Sequence, residues 1–183
     1  MPRLTPITER TQLSGEALKA FDSIVESRGR INGPQSMHMY VPDIARCSIA
    51  LSDVLLYESG LSAHDVELAI LVSAREMDCE YVWASHTNSG IKAGVRLEAI
   101  DTIGAFKNLD DLTEDEAVIV QYGREVLGSH KVDQATFDKV LGKHGESGTI
   151  AIGALMGYYA MLSCTLIGTA MEPANQDHPL PKR

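Results

Sequence analysis

From Thr149 to Met171 the chain carries no Asp, Glu, Lys or Arg. About 20 apolar residues suffice to cross a bilayer, so this run constrains the fold more than any other segment. It also contains Tyr158, Tyr159, Ser163, Cys164 and Thr165, with breaks at Gly153, Gly157, Gly168 and Thr169. Its flanks are Glu146 and Glu172, where an oriented membrane span would carry a Lys/Arg cluster. The run therefore reads as a helix buried on all sides, with no membrane partner. In a chain of 183 residues such a helix is covered by neighbouring subunits, and Gly153 and Gly157 would permit close helix approach. A soluble homo-oligomer is expected.

The remaining pattern is helix after helix. Leu61-Ser62-Ala63-His64-Asp65-Val66 sets Ser62 as an N-cap, Asp65 in the capping-box position, and Leu61 facing Val66 as a hydrophobic staple. Thr113 and Glu116 repeat the arrangement ahead of an acidic first turn, which suits the positive end of the helix dipole. Ser14 and Asp133 are N-cap candidates for helices from Gly15 to about Ser27 and from Gln134 to about Lys143, stopped by Gly29 and Gly145. Pro42 can open a helix to about Tyr57, closed by Gly60. Apolar residues recur at three and four, as in Val66, Ala69, Ile70, Ser73 and Ala74, and no period-two alternation competes. The expected class is all-α, a single domain over residues 1–183. Residues 28–41, with Gly29, Gly33 and Pro34, read as an ordered loop across the helices, and 173–183, with Pro179 and Pro181, as an irregular tail.

Composition narrows the partners. The 44% hydrophobic and 22% charged fractions are those of a globular domain, and a domain of this length buries roughly 70% of its unfolded surface. A formal net charge of -9 with no basic stripe excludes phosphate-backbone binding, so no nucleic acid is expected and the substrate is a small molecule. Cys47, Cys79 and Cys164 are odd in number and widely spaced, which fits a reducing compartment better than a disulfide framework. The first thirty residues include Arg3, Glu9, Arg10, Glu16 and Lys19 without an apolar stretch, so a cytoplasmic location is expected.

The chemistry concentrates between Glu67 and Gly94, in ELAILVSAREMDCEYVWASHTNSGIKAG. Two helices meet near Met77-Asp78, where Asp78 is expected to cap the second and to place Cys79 in its first turn. That positive helix end lowers a thiol pKa, while Asp78 and Glu80 push the other way. Cys79, Val82, Trp83 and His86 fall at i, i+3, i+4 and i+7 and share a face. Cys79 and His86 are then roughly 10 Å apart along the axis, too far for a hydrogen bond. A base at His86 needs a partner from another helix, and Glu67 is the nearest in sequence; a buried Glu–His pair is a usable general acid/base unit near neutral pH.

Glu67, followed by Cys79-x-Tyr81-x-Trp83-x-x-His86 and the small residues Gly90, Ala93 and Gly94, resembles the core motif of the carboxymuconolactone decarboxylase superfamily over about residues 40–105. The resemblance implies an alkylhydroperoxidase D-like helical bundle, assembled as a trimer or hexamer. In the alkylhydroperoxidase D branch the motif resembles Glu, then Cys-x-x-Cys-x-x-x-His, in which two thiols cycle through a disulfide while Glu and His relay protons. Glu67, Cys79 and His86 match the Glu, the first Cys and the His; Val82 stands at the second Cys. A dithiol cycle needs Cα atoms within about 7 Å, and Cys79 has no partner one turn along. The decarboxylase branch relies on acid/base residues around the same His, although its acidic residue in the middle of the motif is also replaced by Val82.

The candidate catalytic residues are thus Glu67, His86, Cys79 and Tyr81, with Trp83 assigned to packing and His38, Tyr40 and His64 to no role. No metal or other cofactor is expected, since histidines at metal-ligand spacing are absent. Three functions compete: a cofactor-free acid/base lyase or decarboxylase on a small carboxylate or lactone compound, a thiol peroxidase using Cys79 with an external thiol, and a non-catalytic small-molecule binder.

Overall fold

The computed structural model describes residues 1–174 and 177–182. Its helices are α1 (Glu16–Arg28), α2 (Gly33–His38), α3 (Pro42–Asp53), α4 (Ala63–Glu76), α5 (Glu80–Lys92), α6 (Leu97–Gly104), α7 (Glu114–Gly123) and α8 (Gln134–Gly168). A 3-10 turn at Arg10–Gln12 precedes α1, and π-helical turns at Val54–Glu58 and Arg124–Ser129 extend α3 and α7. No strand occurs among the described residues, and the all-α class holds.

Local chemistry explains most helix ends. Ser62 Oγ accepts from the Asp65 amide at 3.1 Å and opens α4, while the Asp65 carboxylate turns to His64 instead of closing a reciprocal box. Thr113 and Glu116 form the full box at α7, with Glu116 also accepting from Arg96. Gly15, not Ser14, is the cap residue of α1, and Asp133 stands at the N-cap of α8 without a side-chain bond. Gly145 has φ 66 and ψ -178, so it breaks α8 into two stretches, as a stop at this glycine required. The expected loop over 28–41 is corrected: it contains α2, whose early Pro34 is compatible with a first helical turn because the missing N–H is not needed there.

Helix α4 forms the centre, with Val66 and every residue from Leu68 to Arg75 buried as it packs against α5, α7 and α8. A second, smaller core joins Ile7, Phe21, Ile24, Ile31, Met39, Ala45 and Ile49. The uncharged half of α8 is not buried on all sides within one chain. Ile152, Leu155, Met156, Tyr159, Leu162 and Leu166 face the core, whereas Ile150, Ala154, Gly157, Met161, Cys164 and Gly168 form an exposed stripe. Gly153 faces the Tyr122 hydroxyl, and nothing stands over Gly157. Among the described residues α8 is the one helix long and apolar enough to cross a membrane. The tail is irregular where described and returns to the bundle, with the Pro181 carbonyl accepting from Arg75 and Leu180 packed on the core; residues 175, 176 and 183 lie outside the described residues.

Candidate active site

The bend between α4 and α5 sets the geometry. Asp78 takes a left-handed φ of 49, which Asp tolerates better than most residues, and its carboxylate pairs with Arg75. The chain reverses so that Glu67, about three turns before the bend, and His86, about two turns after it, meet across the α4–α5 contact. Glu67 Oε2 lies 2.9 Å from His86 Nδ1, and both side chains are mostly withdrawn from solvent.

Tyr159 on α8 completes the group. Its hydroxyl is 3.3 Å from His86 Nε2, and the two rings stand edge to face at 88° with centroids 5.1 Å apart. Burial holds the Tyr159 phenol well above the usual tyrosine range, and the nearby Glu67 acts in the same direction. Tyr159 is therefore a hydrogen-bond donor, not a base. With a Glu67 carboxylate accepting from Nδ1–H, His86 Nε2 is left as the acceptor of the Tyr159 proton. Tyr158 stacks edge-on against Tyr159 and shares a 3.0 Å hydrogen bond with Ser48 of α3.

His86, Tyr158, Tyr159 and Tyr81 line a cavity of about 350 Å3, walled by apolar groups such as Val82 and Leu162. It lies where the two cores meet, since Ile24 and Ile49 of the smaller core close its other side.

Cys79 is placed differently from the expectation. It is itself the N-cap residue of α5, because Asp78 is committed to the bend and to Arg75. Cys79 is 1% exposed and does not line the main cavity; it borders a separate hollow of about 220 Å3 with Tyr81 and Leu166. Burial pushes its thiol up, against the Val82 amide and the Ser163 hydroxyl, which act downward. Val82, at the second-thiol position, lines the main cavity, and Tyr81 borders both hollows. Burial likewise raises the Tyr81 phenol, opposed by the Arg30 charge. Trp83 is buried beside Gly104. His38 bonds Thr165 Oγ1 at 3.1 Å, Tyr40 donates to the Thr5 carbonyl, His64 meets Asp65, and none of the three reaches the main cavity. No three His, Cys, Asp or Glu side chains among the described residues converge to hold a metal.

Among the cavity residues to which the sequence reading gave no site role are Tyr159, Arg28 and Arg30. A phenol inside the uncharged run was a usable signal for Tyr159, because a hydroxyl on a buried helix needs a partner. The arginines gave none, lying far along the chain from the motif.

Residues 42–113 match the model of the carboxymuconolactone decarboxylase family. No curated protein sequence matches the chain. Among solved structures, an AhpD-core, peroxidase-related protein from Ralstonia eutropha is 19% identical with a TM-score of 0.73, covering 96% of this chain and 93% of that one. A debrominase solved as a cysteine-to-alanine variant with 2,3,4-tribromopyrrole is 14% identical at a TM-score of 0.72, covering 94% and 93%. A protein of unknown function from Agrobacterium tumefaciens, considered an AhpD-type antioxidant defence protein, is 14% identical at 0.68, covering 75% and 95%. The motif segment thus matches the carboxymuconolactone decarboxylase family, and the chain shares the AhpD-like fold of these solved structures.

Proposed function

We propose that the protein is a cofactor-free acid/base enzyme of lyase or decarboxylase type, acting on a small carboxylate or lactone compound. The observation that carries this reading is the Glu67–His86–Tyr159 chain, whose His86 and Tyr159 line a partly open cavity of mixed polar and apolar walls that Cys79 does not reach. In a lyase step neutral His86 takes a proton from carbon at Nε2, where the longer contact to Tyr159 yields most readily, and in a decarboxylation the His86 imidazolium gives a proton to the carbon that CO2 leaves. Glu67 stabilises the imidazolium through Nδ1–H. Tyr159, kept protonated, hydrogen-bonds the substrate oxygen on which negative charge develops.

A thiol reading has one observation in its favour, the hollow beside Cys79, and the peroxidase-related and debrominase relatives make it the alternative to test. A panel of carboxylated lactones and β-keto acids is followed by NMR in deuterated buffer for exchange at the acidic carbon and for loss of carboxylate. His86→Ala and Glu67→Gln should slow turnover by about 100-fold or more, and Cys79→Ser should leave it intact. Peroxide-dependent dithiol oxidation that survives His86→Ala but not Cys79→Ser would establish the thiol reading instead. Binding without turnover of any compound would make the protein a small-molecule binder.

A further inference from the structure

Two arginines line the cavity of a chain whose net charge is negative, and one of them, Arg28, is already paired with Asp53. The chain has 25 acidic against 16 basic residues, yet among the described residues no Asp or Glu lines the cavity, and Arg28 and Arg30 do. Both come from the end of α1 and the rim that follows it, which also contributes the Asn32 and Gln35 amides to the lining. In a cleft with low-dielectric walls, like charges of this kind concentrate the potential and select ligands of the other sign.

The two arginines are held differently. Arg28 is fixed by Asp53, by Ser52 Oγ at 2.9 Å and by the Tyr57 hydroxyl at 3.4 Å, while its Nε is buried without a hydrogen-bond partner. Arg30 is exposed at the cavity edge, close enough to Tyr81 for its charge to act on that phenol, and makes no ion pair among the described residues.

We propose that Arg30, with Asn32 and Gln35 lining the same edge, is an anion subsite that holds the carboxylate of the substrate in the cavity that His86 and Tyr159 also line. This rests on the reading of that cavity as the active site. The subsite residues lie between the end of α1 and α2, outside the family-matched residues 42–113.

The test uses benzoate and benzamide, which share a shape and differ in charge, titrated into the full chain while NMR follows the His86 ring protons. Benzoate should bind at least fivefold more tightly than benzamide, and added salt should weaken benzoate alone. Arg30→Gln should lower benzoate affinity about five- to tenfold and leave benzamide within twofold, while Arg30→Lys keeps part of the preference. Because Arg30 is exposed, the melting temperature of the variant should stay unchanged. Equal affinities in the natural protein, a ratio unaffected by Arg30→Gln, or binding of neither ligand would overturn the subsite. If the His86 signals still move with both ligands, the site reading survives that failure; benzoate bound without moving them overturns both. Inorganic phosphate displacing benzoate at equal concentration would overturn the carboxylate assignment in favour of a phosphate subsite.

Discussion

At Gly123, α7 packs tightly against Val72 of α4 and Met156 of α8. A Cβ at this position would stand 2.4 Å from Val72 Cγ1, 3.3 Å from Val72 Cβ and 2.9 Å from Met156 Cε. Carbon atoms in contact settle at about 3.5–4.0 Å. The methionine can swing away, but Val72 is 1% exposed in the middle of α4, and a β-branched side chain there has essentially one rotamer. Gly123→Ala therefore requires α7 to withdraw from α4 by about 1 Å. Alanine gains about 1 kcal/mol of helix propensity over glycine, and overpacking a tight core costs about 1–3 kcal/mol, here at the upper end. The expected net loss is about 2 kcal/mol, or about 4–8 °C in melting temperature for a chain of this size. Urea unfolding followed by far-ultraviolet circular dichroism measures it. Val72→Ala introduced beside Gly123→Ala should recover about 1 kcal/mol relative to additivity, since the clash is then relieved. A Gly123→Ala protein as stable as the natural one would refute the close-packing argument and the placement of α7 that depends on it.

Further outcomes follow from other parts of the molecule. Burial depresses both His38 and His144. A base that holds its proton more weakly when folded contributes stability that is complete above its unfolded value, about 6.5, and is lost as pH falls through the folded value. Melting temperature should thus decline below about pH 6.5, and a His38→Gln, His144→Gln double variant should flatten that limb; an unchanged limb would rule out this assignment. Glu116 is 2% exposed and accepts from Arg96 and the Thr113 amide, so Glu116→Ala, which removes the capping box of α7 while Arg96 keeps the Asp111 carbonyl, should cost about 1 kcal/mol in the same urea assay. The exposed stripe on α8 steps by four and three, from Ile150 through Ala154, Gly157, Met161 and Cys164 to Gly168, which is the spacing of a helix-pairing seam. We propose that it joins copies of this chain. Sedimentation without detergent should show an oligomer, and a thiol reagent should modify Cys47 fast, Cys79 only on unfolding, and Cys164 more slowly as protein concentration rises. A monomer with concentration-independent Cys164 labelling would dismiss the seam.

What the sequence disclosed was what short-range physics decides. Ser62 and Thr113 announce their helices because a cap is satisfied within one turn. Glu67 and His86 could be paired in advance because a tight bend joins their helices, and distance along the chain then maps onto distance in space. The Cys79 register was misjudged by one residue, since Asp78 is the better cap in isolation but is recruited by Arg75 into a left-handed bend. Helix α2 was hidden behind Gly33 and Pro34, which resemble loop punctuation until packing against α3 and α8 stabilises the turn. Tyr159, Arg28 and Arg30 reach the cavity only through the tertiary path of α8 and α1, which no local pattern encodes.

The two sides of the cavity belong to parts of the bundle that differ in how readily they come apart. Glu67 projects from α4, the helix that α5, α7 and α8 all grip, so amides from Leu68 to Arg75 should exchange with solvent hydrogen only through global unfolding. The rim after α1 hangs on the smaller core and the short α2, and its amides should exchange through local opening. A ligand can then enter and leave past a breathing edge while the Glu67–His86 contact keeps its geometry, and heat should abolish that contact only at the temperature where the whole bundle melts.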